Sequence, residues 1–189
     1  MRVTGGVLRG RTIVVPKGSA VRPTQDRVRL ALFSSLASRI PACRFLDLFA
    51  GSGAVGLEAW SRGATHVCWV EQSGRVWPVL RRNVEGLCRT GEGGTCRVVR
   101  AEGLRFLDSA EAREVFDIIF ADPPYDRDGA RDWVGEILRR LLGGTALGPA
   151  GILVMEQAVE EPAVSGAGWN VIAEKVYGGT RLYMFSRSA

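Results

Sequence analysis

The feature that most constrains this chain is a unit that starts at Arg44 and then repeats: a short apolar run, a glycine-bearing turn and a helical pattern. Phe45-Leu46-Asp47-Leu48-Phe49 is the first such run, residues 57–61 open the helix after it, and residues 67–71 form the second run. Runs with so little polar alternation belong to strands covered on both faces. A helix over 76–87, strands over 97–100 and 116–121, a helix over 133–142 and a strand over 152–156 continue the pattern. This predicts an α/β fold, a mostly parallel, doubly wound sheet with right-handed crossovers. The end differs. Residues 171–176 and 181–185 flank Gly178-Gly179, a pair suited to a tight hairpin, so the sheet should finish in an antiparallel pair.

Ahead of this region, Arg2-Val3-Thr4-Gly5-Gly6-Val7-Leu8 and Arg11-Thr12-Ile13-Val14-Val15-Pro16 are β-prone and broken by glycines. They predict a small hairpin lying outside the main core, an N-terminal extension over residues 1–21 before a principal domain over 22–189. Thr24 is placed to cap a helix whose apolar positions Val28, Leu32, Leu36 and Ile40 recur every four residues, ending near Pro41. Charge is concentrated here. Residues 1–44 hold nine Lys/Arg against one acid, a net +8, whereas the other 145 residues hold 16 against 19, a net −3. Genome composition can explain why arginine replaces lysine, but not why positive charge collects at one end. A basic segment on a mildly acidic body suits neutralisation of phosphates, so a nucleic-acid partner is expected.

Other classes fall away. The longest apolar runs, such as Gly151-Ile152-Leu153-Val154-Met155, are far shorter than the roughly 18 residues a helical span needs, and no apolar stretch follows Met1. A cytoplasmic location without membrane contact is therefore expected. Cys43, Cys68, Cys88 and Cys96 form no Cys-x-x-Cys pair and read as reduced, mostly buried thiols, and no metal site is expected. His66 is the only histidine and opens an apolar strand pattern, which favours a structural role over that of a general base.

Ligands of open α/β sheets bind at the carboxyl ends of the strands, and the first such end is Asp47-Leu48-Phe49-Ala50-Gly51-Ser52-Gly53-Ala54-Val55-Gly56. Gly51, Gly53 and Gly56 fit G-x-G-x-x-G, which lets a loop turn tightly and a cofactor approach its backbone. Glu71, twenty residues after Gly51, can accept both hydroxyls of a ribose. That spacing suits either NAD or S-adenosylmethionine (SAM). Asp47 favours SAM, because a carboxylate just before the loop repels a pyrophosphate but can bond an ammonium. It can also serve as a cap on the loop's own amides.

The strand over 116–121 runs into Asp122-Pro123-Pro124-Tyr125, again at the carboxyl edge. An exocyclic purine amine is a poor nucleophile, since its lone pair is delocalised into the ring. If Asp122 and the Pro123 carbonyl each accept one of its N–H bonds, the nitrogen can pyramidalise and aim its lone pair at a sulfonium methyl. Pro124 denies that carbonyl a local amide partner, and Tyr125 can stack on the base. Alignment in a dry pocket then supplies most of the catalysis. A stiff turn with Tyr125 packed on the core is the plainer alternative.

Together these residues resemble the bacterial 16S rRNA guanine-N2 methyltransferases of the RsmD type. The resemblance spans nearly the whole chain: Gly5-Gly6 with Arg9-Gly10-Arg11, then Arg22-Pro23-Thr24-Gln25-Asp26-Arg27-Val28-Arg29 with Leu32-Phe33, the loop 47–53, Asp122-Pro123-Pro124-Tyr125, and Tyr177-Gly178 with Thr180-Arg181-Leu182. It implies a Rossmann-like SAM-dependent fold, with SAM held by Asp47, Ala50, Gly51, Ser52, Gly53, Glu71, Glu102 and Asp122. It implies catalysis by Asp122, Pro123, Pro124 and Tyr125, and RNA contacts from Arg2, Arg9, Arg11, Arg22 and Arg27. The expected substrate is N2 of one guanine of 16S rRNA in the assembling 30S particle, and the expected state a monomer. Two positions depart from the family pattern: Glu102, which would bond the adenine amine, stands where the family usually has Asp, and Leu30 where it usually has Glu. The competing readings are an amino-methyltransferase of DNA adenine or of a protein glutamine, a non-catalytic RNA-binding assembly factor, and an NAD-dependent oxidoreductase. The basic N-terminal segment disfavours a protein substrate, and the intact cofactor loop disfavours a decayed scaffold.

Overall fold

The computed structural model describes residues 1–16, 26–88, 94–109, 114–124, 131–161 and 166–188. Seven strands make one sheet in the order β3-β2-β1-β4-β5-β7-β6. These are β1 (Arg44–Asp47), β2 (His66–Val70), β3 (Thr95–Val99), β4 (Phe116–Ala121), β5 (Leu147–Ala158), β6 (Trp169–Tyr177) and β7 (Thr180–Arg187). The first five are mutually parallel, and β7 runs antiparallel to both β5 and β6. Strand β1 lies between β2 and β4, so the strand order reverses beside it and opens a crevice at the carboxyl edge. Pairing Asp47 with Phe120 and Ala121 with Met155 sets the levels of the strand tips there.

Among the described residues five helices cover the sheet: α1 (Asp26–Ser35), α2 (Ala54–Ser61), α3 (Trp77–Leu87), α4 (Gly103–Asp108) and α5 (Trp133–Gly143). Side chains alternate across each strand and feed two cores. Phe45, Val67, Trp69, Ile118, Phe120, Ile152 and Val154 face the side that also carries α1 residues Val28, Leu32 and Phe33 and α3 residues Leu80 and Val84. Leu46, Cys68, Val70, Ile119, Ala121, Leu153 and Met155 face the side packed by Leu104, Phe106, Ile137, Leu138 and Leu141. Among the described residues no helix is long and apolar enough to cross a membrane.

Three expectations are corrected. The opening ribbon does not lie outside the core: Val3 and Ile13 are fully buried within the first apolar cluster. It is a narrow antiparallel turn with a bridge from Arg2 to Thr12, and Gly5 and Gly6 are packing sites. A Cβ on Gly6 would run into the Ser61 carbonyl, and Ser61 Oγ in turn donates to the Gly5 carbonyl at 2.6 Å and accepts the Leu8 amide at 2.8 Å. The boundary expected at residue 21 and the expected cap, Thr24, lie outside the described residues. Next, α1 ends at Ser35, and Leu36 and Ile40 reach the core from the turns that follow. Finally, β5 starts at Leu147, earlier than its apolar run suggests. The hairpin at Gly178-Gly179 forms as expected, with Tyr177 paired to Thr180.

Candidate active site

The loop after β1 is held open by its glycines. Gly51 and Gly53 sit at φ 52° and 83°, where a β-carbon is strained, and Gly53 leads directly into α2. Gly56 serves another purpose. The Trp69 indole occupies the space its side chain would fill, while Trp69 Nε1 donates to the Gly53 carbonyl at 3.2 Å. The third glycine of the fingerprint thus lets α2 approach β2 closely.

Two carboxylates brace the loop. Asp47, 1% exposed, accepts the Gly56 amide at 2.9 Å, so the capping role is realised. Burial, only partly offset by that bond, pushes its pKa up to about 7. A buried carboxylate so strained by loss of water is a natural partner for a ligand cation. Glu71 accepts the Gly51 amide at 2.9 Å and the Ser73 amide at 2.7 Å, which fixes its orientation and leaves lone pairs for ribose hydroxyls. Ala50 donates to the Val70 carbonyl at 2.9 Å, and the Ser52 carbonyl accepts from Asn83, so both belong to the loop's frame.

A third carboxylate, Glu102, caps α4 by accepting the Arg105 amide at 2.9 Å. Its other oxygen makes no hydrogen bond among the described residues and lies 3.7 Å from Arg131. The Arg131 guanidinium sits 3.9 Å above the Trp133 ring, and Phe49 meets Trp133 edge-on at 5.7 Å. These groups form an aromatic and polar wall beside the loop, suited to a flat heterocycle with an exocyclic amine. Leu30, the other departure from the family pattern, is half exposed on α1 and away from this wall.

Asp122, half-buried, and Pro123, buried, follow β4 directly beside the tip of β1, where Leu48 donates to the Phe120 carbonyl at 2.9 Å. Burial foremost, then the charges of Glu156, Asp47 and Glu161, holds the Asp122 carboxyl well above the usual range. The expected meeting of the two motifs at one rim is therefore realised. Pro124 is exposed, and Tyr125 lies outside the described residues. His66 stands at the opposite, amino end of the sheet, bonded to Thr95 and paired with Glu114 at 2.9 Å. It is structural, as expected.

Arg2, Arg9, Arg11 and Arg27 are exposed, and Arg22 lies outside the described residues. Arg29 breaks the pattern. It is fully buried, donates to the Arg2 carbonyl at 2.8 Å and to Asp26 at 2.9 Å, and lies 3.7 Å from the equally buried Glu58. Glu58 also receives the Thr4 amide and pairs with Arg62 at 3.2 Å, so part of the basic charge anchors the ribbon. Asn83, which joins ribbon to loop, and Glu58 were both missed from the sequence. The available signal was a polar residue inside an apolar helical stripe.

Parallel sheet, switch-point crevice, glycine loop and carboxylate-bearing strand tips define a Rossmann-like methyltransferase, and the acid-lined loop fits its cofactor. Residues 1–186 match the family described as conserved hypothetical protein 95. The chain is 36% identical to ribosomal RNA small subunit methyltransferase D of Escherichia coli over 191 residues, covering all of this chain and 91% of that one. It is 32% identical to the Haemophilus influenzae protein of the same name, covering 97% and 93%. Among solved structures, Escherichia coli yhhF superposes with a TM-score of 0.82 at 36% identity, covering 100% and 98%. Thermus thermophilus TTHA0928 gives 0.78 at 34%, covering 98% and 99%. The chain belongs to the ribosomal RNA small subunit methyltransferase D family, and SAM is its cofactor.

Proposed function

We propose that the protein methylates the exocyclic N2 of one guanine of 16S rRNA, acting as a cytoplasmic monomer on the assembling 30S subunit. The observation that carries this reading is the adjacency of the β1 and β4 tips, which sets Asp47 and Asp122 at one rim. The names of the full-length relatives support the rRNA substrate.

When bound, SAM supplies a methyl group on a positively charged sulfur. Asp47 would hold its ammonium, Glu71 its ribose and Glu102 its adenine amine, with Ala50, Gly51, Ser52 and Gly53 lending backbone to the cradle. Asp122 and the Pro123 carbonyl accept the two N–H bonds of the guanine amine and turn its lone pair toward the methyl carbon. A methylated amine would be cationic and would then lose a proton. Pro124 keeps the turn rigid, and Tyr125 stacks on the base. Arg2, Arg9, Arg11, Arg22 and Arg27 position the RNA through phosphate contacts.

The test is to incubate the protein with labelled SAM and small subunits from a strain lacking this activity, and then to identify the labelled nucleoside. N2-methylguanosine from 16S rRNA is expected, with Asp122→Ala abolishing transfer while SAM still binds. Label in another nucleoside, or wild-type activity in Asp122→Ala, would overturn the reading.

A further inference from the structure

A third acid completes the rim. Glu156 lies on β5, is 5% exposed, and follows Met155, the register partner of Ala121, just as Asp122 follows Ala121. Neighbouring strands are about 4.8 Å apart, so the two acids leave their backbones side by side. Strand alternation also places them on one face. Phe45, Phe120 and Val154 belong to the first core and Leu46, Ala121 and Met155 to the second, so Asp47, Asp122 and Glu156 all return to the first side. Glu156 is also the strongest charged neighbour acting on Asp122.

The bases differ in what adjoins their amine. Guanine presents two ring-edge donors together, N1–H and N2–H₂. Adenine and cytosine place a lone pair on the ring nitrogen beside the amine. An ionised carboxylate only accepts hydrogen bonds, so at that position it favours N1–H and repels a lone pair. Resting on the function proposed above, we infer that Glu156 is the specificity-determining residue that accepts N1–H of the target guanine while Asp122 holds its amine.

A discriminating substrate is 2-aminopurine, which keeps the N2 amine but has a lone pair at N1. Small subunits are reconstituted with guanine or 2-aminopurine at the mapped nucleotide, and kcat/KM is measured for each. Wild-type protein should prefer guanine by about 10²–10⁴-fold, as expected where a buried polar group is left unpaired. Glu156→Gln can accept N1–H through its amide oxygen or turn its amide to donate to a bare N1, so the preference should collapse to within about tenfold of unity, chiefly by gain of rate on 2-aminopurine. Glu156→Asp keeps the carboxylate and should keep the preference at a lower overall rate. SAM titration of each variant should stay within a few-fold of wild type, which separates a local effect from misfolding. Equal use of both substrates by wild-type protein, or an unchanged preference in Glu156→Gln, would overturn the role of Glu156 alone. Failure of wild-type protein to label guanine-bearing subunits would instead overturn the proposed function, and this inference with it.

Discussion

The side-chain amide of Asn83 donates to the Ser52 carbonyl at 2.9 Å, so a residue of α3 holds the cofactor loop from behind. The same nitrogen donates to the Val14 carbonyl at 2.8 Å, and Asn83 Oδ1 accepts the Val14 amide at 3.0 Å. One buried side chain thereby fastens the basic ribbon to the loop proposed to bind SAM. Asn83→Ala leaves those backbone groups unpaired and should lower stability by about 1–3 kcal/mol. It should weaken SAM binding as well, because the loop loses its brace. Thermal unfolding and SAM titration check this, and an unchanged SAM affinity would show that the loop holds its shape unaided.

The packing of Gly56 on Trp69 makes a second prediction. Gly56→Ala forces a methyl group into the indole and should destabilise the protein by about 1–3 kcal/mol. Trp69→Phe removes the obstructing ring, at the cost of the bond to Gly53. The double variant should be less destabilised than the two single losses added together, with a coupling of about 0.5–3 kcal/mol. Denaturant unfolding of the four proteins measures this, and strict additivity would refute the packing of Gly56 on the indole.

The parallel sheet was legible because buried strands announce themselves as apolar runs, and the site because its two motifs end such runs. What stayed hidden depends on partners distant in sequence. Val3 and Ile13 are two residues in a glycine-rich stretch, too few to show a period, and only the α2 surface around Ser61 reveals why they are buried. The helix α4, six residues long, is likewise too short for an apolar stripe to emerge. Glu58 and Asn83 look like surface polars until the ribbon is placed over them. Glu156 follows an apolar run that reads as core, and its neighbour Asp122 lies 34 positions away.

The arginines near the N-terminus divide into two kinds. Replacing the exposed Arg9, Arg11 and Arg27 with alanine should leave unfolding within about 0.5 kcal/mol of wild type each, as for surface substitutions generally. RNA binding should weaken, and its log–log salt slope flatten by about 0.7 for each phosphate that is no longer neutralised on a single strand. Arg29→Ala, by contrast, takes one of two cations from the buried Glu58 carboxylate and leaves the Arg2 carbonyl without its donor, and should cost about 1–3 kcal/mol. Binding isotherms at several salt concentrations test the first claim, and an unchanged slope would take those three residues out of the interface.

If Asp47 holds the SAM ammonium as proposed, it makes both stability and cofactor affinity depend on pH, in opposite senses. Its pKa in the folded protein is about 7 against the ordinary 3.8, so between those values the folded state binds more protons than the unfolded one. Its contribution therefore falls as pH rises through that window and levels off above about 7, a loss on the order of 4 kcal/mol at most. A SAM ammonium needs the ionised carboxylate, so binding below about pH 7 must expel the proton. Apparent SAM affinity should accordingly rise with pH, by up to about tenfold per unit, and flatten above pH 7. Calorimetry in buffers of different ionisation enthalpy should detect proton release near pH 6 and little at pH 8. In Asp47→Asn the pH dependence should vanish along with most of the affinity. Persistence of the full pH dependence in that variant would assign the proton to another group.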